Sequence, residues 1–144
     1  MPAFLPDTSC MIAAVCSWHE HHDRARDQIE TRLGYKYRMV VAGPALIEMY
    51  AVLTRLPPPY RVAASDALAL IEQNFMNGAK MVVLAQSDYG ELLRTAPANN
   101  ISGGRAYDAV ISICARKARV DALLTFNAKH FAALAGMGME IVIP

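Results

Sequence analysis

Three acidic side chains stand in apolar surroundings, where polar residues are uncommon. Asp7 follows the short apolar run at the start of the chain, Glu48 lies within an apolar helical turn, and Asp108 lies near the start of an apolar helical segment. Carboxylates are seldom buried unless they are paired with cations or metal ions. The three acids therefore favour one explanation, in which they converge and share a cation.

Each acid also has a simpler explanation, which the residues alone leave open. Asp7 is a favoured capping residue for a helix that follows it. Glu48 is equally compatible with an exposed position, or with an ion pair to Arg55 or Arg61. Asp108 lies three residues after Arg105, the spacing of an ion pair within one helix.

Asn127 directly follows the apolar run Ala122–Phe126. If that run is a strand beside the first one, Asn127 and Asp7 face each other at the same edge of the sheet. The simpler interpretation of Asn127 is a turn residue, because asparagine is common in turns.

Hydroxyl side chains flank two of these positions. Thr8 and Ser9 follow Asp7, and Thr125 precedes Asn127 by two residues. Their hydroxyl groups are suited to orienting a carboxylate or a metal-bound water from just outside the ligand set. For Ser9, capping of the following helix is an equally good explanation.

The histidines are weaker candidates than the acids. We expect His19, His21 and His22 to lie on a solvated helix, where only His19 and His22 share a face. A zinc site needs three or four converging ligands, so surface histidines are the preferred interpretation. His130 is close enough in sequence to Asn127 to approach the acids, but packing or capping explains it equally well.

Short apolar runs alternate with helical patterns, which predicts a parallel sheet with crossover helices. Each run is short and largely apolar, as a strand covered on both faces should be. Sites in open parallel sheets form at the carboxyl ends of strands, where Asp7 and Asn127 would lie. The predicted strands are Ala3–Asp7, Arg38–Ala42, Met81–Ala85, Ala122–Phe126 and Glu140–Ile143.

Seven helices are predicted between and after these strands. Gly34 ends the second helix, and the prolines at 57–59 end the third because proline lacks the amide hydrogen. The sixth is so apolar that we expect it to be buried on most sides. The predicted helices are Ser9–Ala14, Ser17–Leu33, Ala45–Leu56, Val62–Asn77, Ser87–Thr95 (with Ser87 as its cap), Arg105–Arg119 and Lys129–Leu134.

The composition sets outer limits on the protein. Its 144 residues are 54% hydrophobic and 19% charged, which excludes general disorder and fits one domain spanning 1–144. The net charge of +1 implies no broad basic surface, so any nucleic-acid binding must be local. No apolar run approaches the ~20 residues of a membrane-spanning helix. Three cysteines without a C-x-x-C pair indicate buried thiols and a reducing cytoplasm rather than a disulfide framework.

The sequence resembles the PIN-domain ribonucleases of the VapC type, which are toxins of bacterial toxin–antitoxin pairs. The resemblance covers nearly the whole chain and depends on the order and spacing of four short blocks. These blocks are Leu5–Ser9, Pro44–Glu48 continued by Leu53–Pro57, Gly104–Ala109 and Leu124–Phe131.

The resemblance implies a three-layer α/β/α sandwich with a parallel sheet in the strand order 3-2-1-4-5. It implies Mg²⁺ or Mn²⁺ held by Asp7, Glu48 and Asp108. Many relatives carry a fourth acid where this chain has Asn127, which keeps an oxygen ligand but removes a charge. That difference places a second tightly held metal ion in doubt.

The activity implied is hydrolysis of single-stranded or looped RNA by an endoribonuclease that a small antitoxin holds inactive. Such toxins usually form homodimers, and no membrane contact is implied. Arg105 and Lys129 are candidates for phosphate contacts. One competing hypothesis is a catalytically silent PIN-like module that binds RNA or protein, which Asn127 favours. Another is a phosphotransfer enzyme that starts from Asp7, although Ser9 replaces the second acid of the Asp-x-Asp motif in one such class.

Overall fold

Five short parallel strands lie at the centre of the computed structural model, which describes residues 1–144. They are β1 (Ala3–Pro6), β2 (Arg38–Ala42), β3 (Lys80–Val82), β4 (Ala122–Leu124) and β5 (Glu140–Val142). Their order across the sheet is β3-β2-β1-β4-β5, and all four neighbouring pairs are parallel. Because crossovers are right-handed, the helices that connect β1 to β2 and β2 to β3 cover one face of the sheet, and those that connect β3 to β4 and β4 to β5 cover the other. The predicted fold class and strand order are confirmed.

Seven α-helices connect the strands, as the sequence predicts. The fourth continues into a π-helical turn at Glu72–Met76, and the seventh follows a 3₁₀ turn at Ala128–Phe131. The helices are α1 (Thr8–Val15), α2 (His22–Gly34), α3 (Gly43–Arg55), α4 (Ala64–Ile71), α5 (Gln86–Thr95), α6 (Arg105–Ala118) and α7 (Ala132–Ala135).

The carboxyl ends of the strands differ from the prediction. β1 and β4 stop one and two residues earlier than the apolar runs do, at Pro6 and Leu124. The next residues, Asp7 and Thr125, still donate their amides to Leu124 and Val142 of the neighbouring strands, but the Asp7 side chain caps α1 and the Thr125 side chain binds Asp7. The third strand runs from Lys80 to Val82 rather than from Met81 to Ala85, and Ala85 caps α5 in place of Ser87.

Two helix predictions were wrong in informative ways. α2 begins at His22 rather than Ser17, because residues 17–21 form turns, and Trp18 in them is 45% exposed. α6 is not buried on most sides: its buried residues are Ile111, Cys114 and Ala115, whereas Tyr107 is 60% exposed. Its apolar residues therefore form one face that packs inward.

One core of 27 buried residues joins the sheet to the helices, and Phe4, Phe75 and Phe131 are among its largest members. All three cysteines are buried and form no disulfide. Burial raises the pKa of the Cys114 thiol to about 11, so it stays protonated and unreactive at neutral pH. No helix in the fold combines the length and the apolar content that crossing a bilayer requires.

Candidate active site

The pairing of β1 with β4 brings the first of the three acids next to Thr125. Pro6 pairs with Leu124 in the parallel register, so the next residue of each strand lies at the same edge of the sheet. Thr125 Oγ1 donates a 2.6 Å hydrogen bond to Asp7 Oδ2, although 118 positions separate the two residues. The sheet topology therefore determines this contact.

Asp7 is also the N-cap of α1, as its simpler explanation proposed. Its Oδ1 accepts hydrogen bonds from the Cys10 amide at 2.9 Å and from the Ser9 hydroxyl at 2.6 Å. The side chain is only 1% exposed. These contacts hold the carboxylate in one orientation at the carboxyl end of β1, and they leave one acceptor site free on Oδ2.

The buried position of Asp7 disfavours the negative charge of its carboxylate. Burial raises the pKa of the Asp7 carboxyl above its ordinary value, and the negative charge of Asp108 raises it further. The hydrogen bonds from Ser9, Thr125 and Cys10 act in the opposite direction without cancelling the burial. A bound cation would offset the cost of this buried charge.

Asp108 lies in the first turn of α6, close enough to Asp7 to act on its charge. It makes no ion pair with Arg105, which was its simpler explanation. Instead, His130 Nδ1 lies 2.6 Å from Asp108 Oδ2. A carboxylate only accepts, so Nδ1 carries the proton and donates it. The sequence left this contact open, and only the fold brings His130 to the acid.

Glu48 lies on α3 and is partly buried. It forms no ion pair with Arg55 or Arg61. It lines a groove of about 370 Å³ with Tyr107 and Val110, which flank Asp108 on α6. The groove places Glu48 beside the turn that carries Asp108.

Asn127 and the remaining candidates lie around this pair of acids. Asn127 is exposed, and its backbone amide donates to Thr125 Oγ1 at 2.9 Å, whereas its side chain makes no hydrogen bond to Asp7. The buried Thr8 hydroxyl has no hydrogen-bond partner in the protein. Lys129 is exposed, and Arg105 lines a cavity of about 720 Å³ between α5 and α6.

The donor set fits a hard divalent cation at Asp7 and Asp108. Both contribute carboxylate oxygens, the ligand type that Mg²⁺ and Mn²⁺ prefer. Asp7 has a free acceptor site, and Asp108 Oδ1 has no hydrogen-bond partner. No three side chains of the His, Cys, Asp and Glu types lie close enough together to hold one ion. Asp7 and Asp108 therefore form a pair whose charges interact, and Glu48 does not join them in one group of ligands.

The histidines early in the chain differ from their prediction. His19 and His21 precede α2, and His22 is its first residue, so they do not lie together on a helix face. His22 Nδ1 contacts the carbonyl of Ala13 at 2.9 Å, which fastens the start of α2 to α1. No group of three His, Cys, Asp or Glu side chains that could hold a metal ion includes them.

Replacing Thr125 with valine tests the hydrogen bonds around Asp7. Valine keeps the shape but removes both the donor to Asp7 Oδ2 and the acceptor for the Asn127 amide. We expect the free energy of unfolding to fall by about 1–3 kcal/mol, because buried polar groups lose their partners. Chemical denaturation measures the change. Thr125→Ser keeps the hydroxyl and is the matched control; equal stability of the valine variant and the wild type would contradict the role of the hydroxyl.

In the comparison with protein families, the PIN domain matches residues 4–137. Two ribonucleases of Mycobacterium tuberculosis are similar in sequence. VapC40 is 30% identical over 113 residues, which are 78% of this chain and 78% of that protein. VapC27 is 30% identical over 131 residues, which are 91% of this chain and 82% of that protein.

Solved structures show the same fold at lower identity. The VapC20 toxin of M. tuberculosis, described as cleaving the sarcin–ricin loop, has a TM-score of 0.69 and 16% identity, over 90% of this chain and 94% of that one. DNA-bound VapBC from Salmonella typhimurium has a TM-score of 0.67 and 20% identity, over 99% and 98% of the two chains.

Proposed function

The chain belongs to the PIN-domain family, with VapC ribonucleases among its relatives, and from this premise we propose that it is a metal-dependent endoribonuclease. The observation that carries the proposal is the buried Asp7 carboxylate, held by three hydrogen bonds with the charge of Asp108 beside it. The substrate we propose is single-stranded or looped RNA, and the reaction is hydrolysis of a phosphodiester bond.

Asp7 and Asp108 would hold Mg²⁺ or Mn²⁺ directly. When bound, such an ion lowers the pKa of a water and shields the charge that develops on the phosphate. Ser9, Thr125 and the Cys10 amide keep Asp7 in a fixed orientation. His130 does the same for Asp108, so neither carboxylate has to reorganise to meet the cation.

In this proposal Glu48 and Asn127 assist the two direct ligands. Glu48 is partly buried and free of ion pairs, so it can contact the ion or accept a proton through a water. Asn127 supplies an amide oxygen where a carboxylate would add charge. With Asp7 and Asp108 as the direct ligands, a single tightly held ion is the stoichiometry that we propose.

Phosphate contacts are proposed for Arg105 and Lys129. Both are exposed, and neither is neutralised by an ion pair. Arg105 lines the same cavity as His130, which links that cavity to Asp108. A guanidinium there would bind phosphate oxygens with two hydrogen bonds.

The partner we propose is a small antitoxin that occupies the groove beside Glu48. Ile47 and Tyr107 at this groove are 73% and 60% exposed, which suits an apolar protein segment. A basic side chain of that segment could neutralise the acids directly. We also propose that the protein acts in the cytoplasm, in keeping with its unpaired cysteines, and that it forms a homodimer as the family resemblance implies.

Removal of divalent ions tests the proposed reaction. We expect purified protein to cleave a long single-stranded RNA in Mg²⁺ or Mn²⁺, to lose that activity in EDTA and to regain it when excess ion is added. Gel electrophoresis of the RNA reports each state. A DNA strand of the same sequence and heat-denatured protein are the controls. Cleavage that persists in EDTA after exhaustive dialysis would contradict metal dependence.

The silent PIN-like module is the second candidate, because Asn127 lacks the charge of a fourth acid. It predicts RNA or protein binding without cleavage under any ion. Calorimetric measurement of Mn²⁺ binding separates the two candidates. A silent module should bind Mn²⁺ equally well before and after Asp7→Asn, whereas a nuclease should lose the ion.

A further inference from the structure

Five aromatic rings form a continuous row that ends at the candidate active site. We call it the ring row, and its members are Tyr60, Trp18, His19, His21 and Phe126. Successive ring centroids are 4.5, 5.8, 5.6 and 4.5 Å apart. Three separate segments of the chain supply these rings, so the row is a product of the fold and not of local sequence.

One end of the ring row lies at the acids. His21 stacks on Phe126 with an angle of 19° between the ring planes. Phe126 stands between Thr125 and Asn127, and its backbone amide contacts the Ser9 hydroxyl that also binds Asp7. The row therefore leads directly to the residues that orient the buried carboxylate.

The other end of the ring row is open to solvent. Trp18 and Tyr60 contact each other, yet each remains 45% exposed. Core packing does not account for a tryptophan left so exposed, because burying such a ring would stabilise the fold. Exposed aromatic rings on a rigid surface are the type of platform on which unpaired bases stack.

The charges along the ring row suit a polyanion. Arg24 contacts the His21 ring, and the Arg61 guanidinium, next to Tyr60 in sequence, is fixed by the Leu56 carbonyl at 2.9 Å. One acid, Glu20, also contacts the row, through His21 at 3.4 Å. Burial lowers the pKa of His19, so its ring is neutral at pH 7 and is suited to stacking.

We propose that the ring row is a base-stacking subsite for an unpaired stretch of RNA whose backbone continues to Asp7 and Asp108. The inference builds on the ribonuclease activity proposed above and adds how the substrate is selected. Stacking requires bases that are out of a duplex, so the ring row favours single-stranded or looped RNA over paired RNA. It does not read sequence, because every base has a face to stack.

Trp18 is the single tryptophan of the chain, so its fluorescence reports on this subsite directly. The probe is a short single-stranded RNA of random sequence, titrated in EDTA with a gel check that it stays intact. We expect quenching of Trp18 fluorescence by the single strand and much weaker quenching by a duplex of the same length.

Variants measured by anisotropy of the labelled RNA complete the test. Trp18→Ala should weaken RNA binding roughly 5- to 100-fold in Kd, and Trp18→Phe should recover most of it. In cleavage assays with Mg²⁺, the alanine variant should raise KM and leave kcat largely unchanged. Tyr35→Ala is the matched control: Tyr35 is 77% exposed and lies at the far end of α2, about 20 Å from His21.

The failures of the two proposals are distinguishable. Wild-type protein that cleaves RNA while Trp18→Ala retains the same Kd and KM would overturn the stacking subsite alone. The subsite is also overturned if Tyr35→Ala weakens binding as much as Trp18→Ala does, or if duplex and single strand quench equally. Protein that neither binds nor cleaves any RNA would overturn the proposed function and the subsite together.

Discussion

Asp108→Asn is expected to lower the rate of RNA cleavage by roughly 10³-fold while the protein stays folded. Asparagine keeps the size of the side chain and one oxygen that can accept from His130. It removes the negative charge that, in the proposed function, pairs with the cation. The Asp108 side chain is 18% exposed, and the asparagine that replaces it fills the same space. The free energy of unfolding should therefore change little. Initial cleavage rates in Mg²⁺ and a thermal melt measure the two effects.

Asp66→Asn provides the matched control for this substitution. Asp66 is exposed in the first turn of α4 and makes no ion pair or side-chain hydrogen bond. The same chemical change there should leave cleavage unaffected. In a host that expresses the protein without an antitoxin, Asp108→Asn should also relieve growth arrest and Asp66→Asn should not. Cleavage by the Asp108 variant at the wild-type rate would reject the assignment of Asp108 to the active site.

The sequence predicted the sheet well because its strands are short, apolar and separated by helical patterns. Arg38–Ala42 matches the observed strand at both ends. The order of the strands across the sheet cannot be predicted in this way, since no local pattern indicates which strands are neighbours. The order 3-2-1-4-5 came from the family resemblance, and without it the expectation that Asn127 and Asp7 lie at the same edge of the sheet would have remained a conditional statement.

The ends of the elements were less predictable, because side-chain hydrogen bonds compete there with the backbone ladder. Asp7 continues the apolar run of β1, yet it caps α1 instead of extending the strand. In the same way, Trp18 continues the helical spacing of α2 but lies in the turn before it. Asp7 also accepts a hydrogen bond from Thr125, and Trp18 packs against Tyr60, and both partners are distant in sequence.

Long-range contacts also explain what the sequence missed in the site. Nothing local indicates that His130, rather than Arg105, contacts Asp108. The positions of the acids were predicted from their apolar surroundings, which is a sound signal for Asp7. That signal is weaker for Glu48, whose side chain is only partly buried and lines a groove.

The burial of Asp7 has a consequence for stability in the absence of metal ions. Its pKa is raised above the ordinary value of 3.8, so the folded protein binds this proton more tightly than the unfolded chain. The contribution to the free energy of unfolding is complete below 3.8 and is lost as the pH rises through the raised pKa of the folded state. At neutral pH the ionised carboxylate is therefore a cost, which a bound cation would offset.

Asp7→Asn should remove both this cost and the response to metal ions. At about 100 times its Kd, Mn²⁺ should stabilise the wild type by ~2.7 kcal/mol, which raises Tm by roughly 5–10 °C. The variant should show almost no shift, although asparagine can still cap α1, and Asp66→Asn should keep the full shift. Without metal at neutral pH, the Asp7 variant should melt no lower than the wild type, with a flatter dependence of Tm on pH. Stabilisation by an ion that binds at Asp7 must depend on the charge of that carboxylate. Equal Mn²⁺ shifts of Tm in the wild type and the Asp7 variant would therefore show that the ion binds elsewhere.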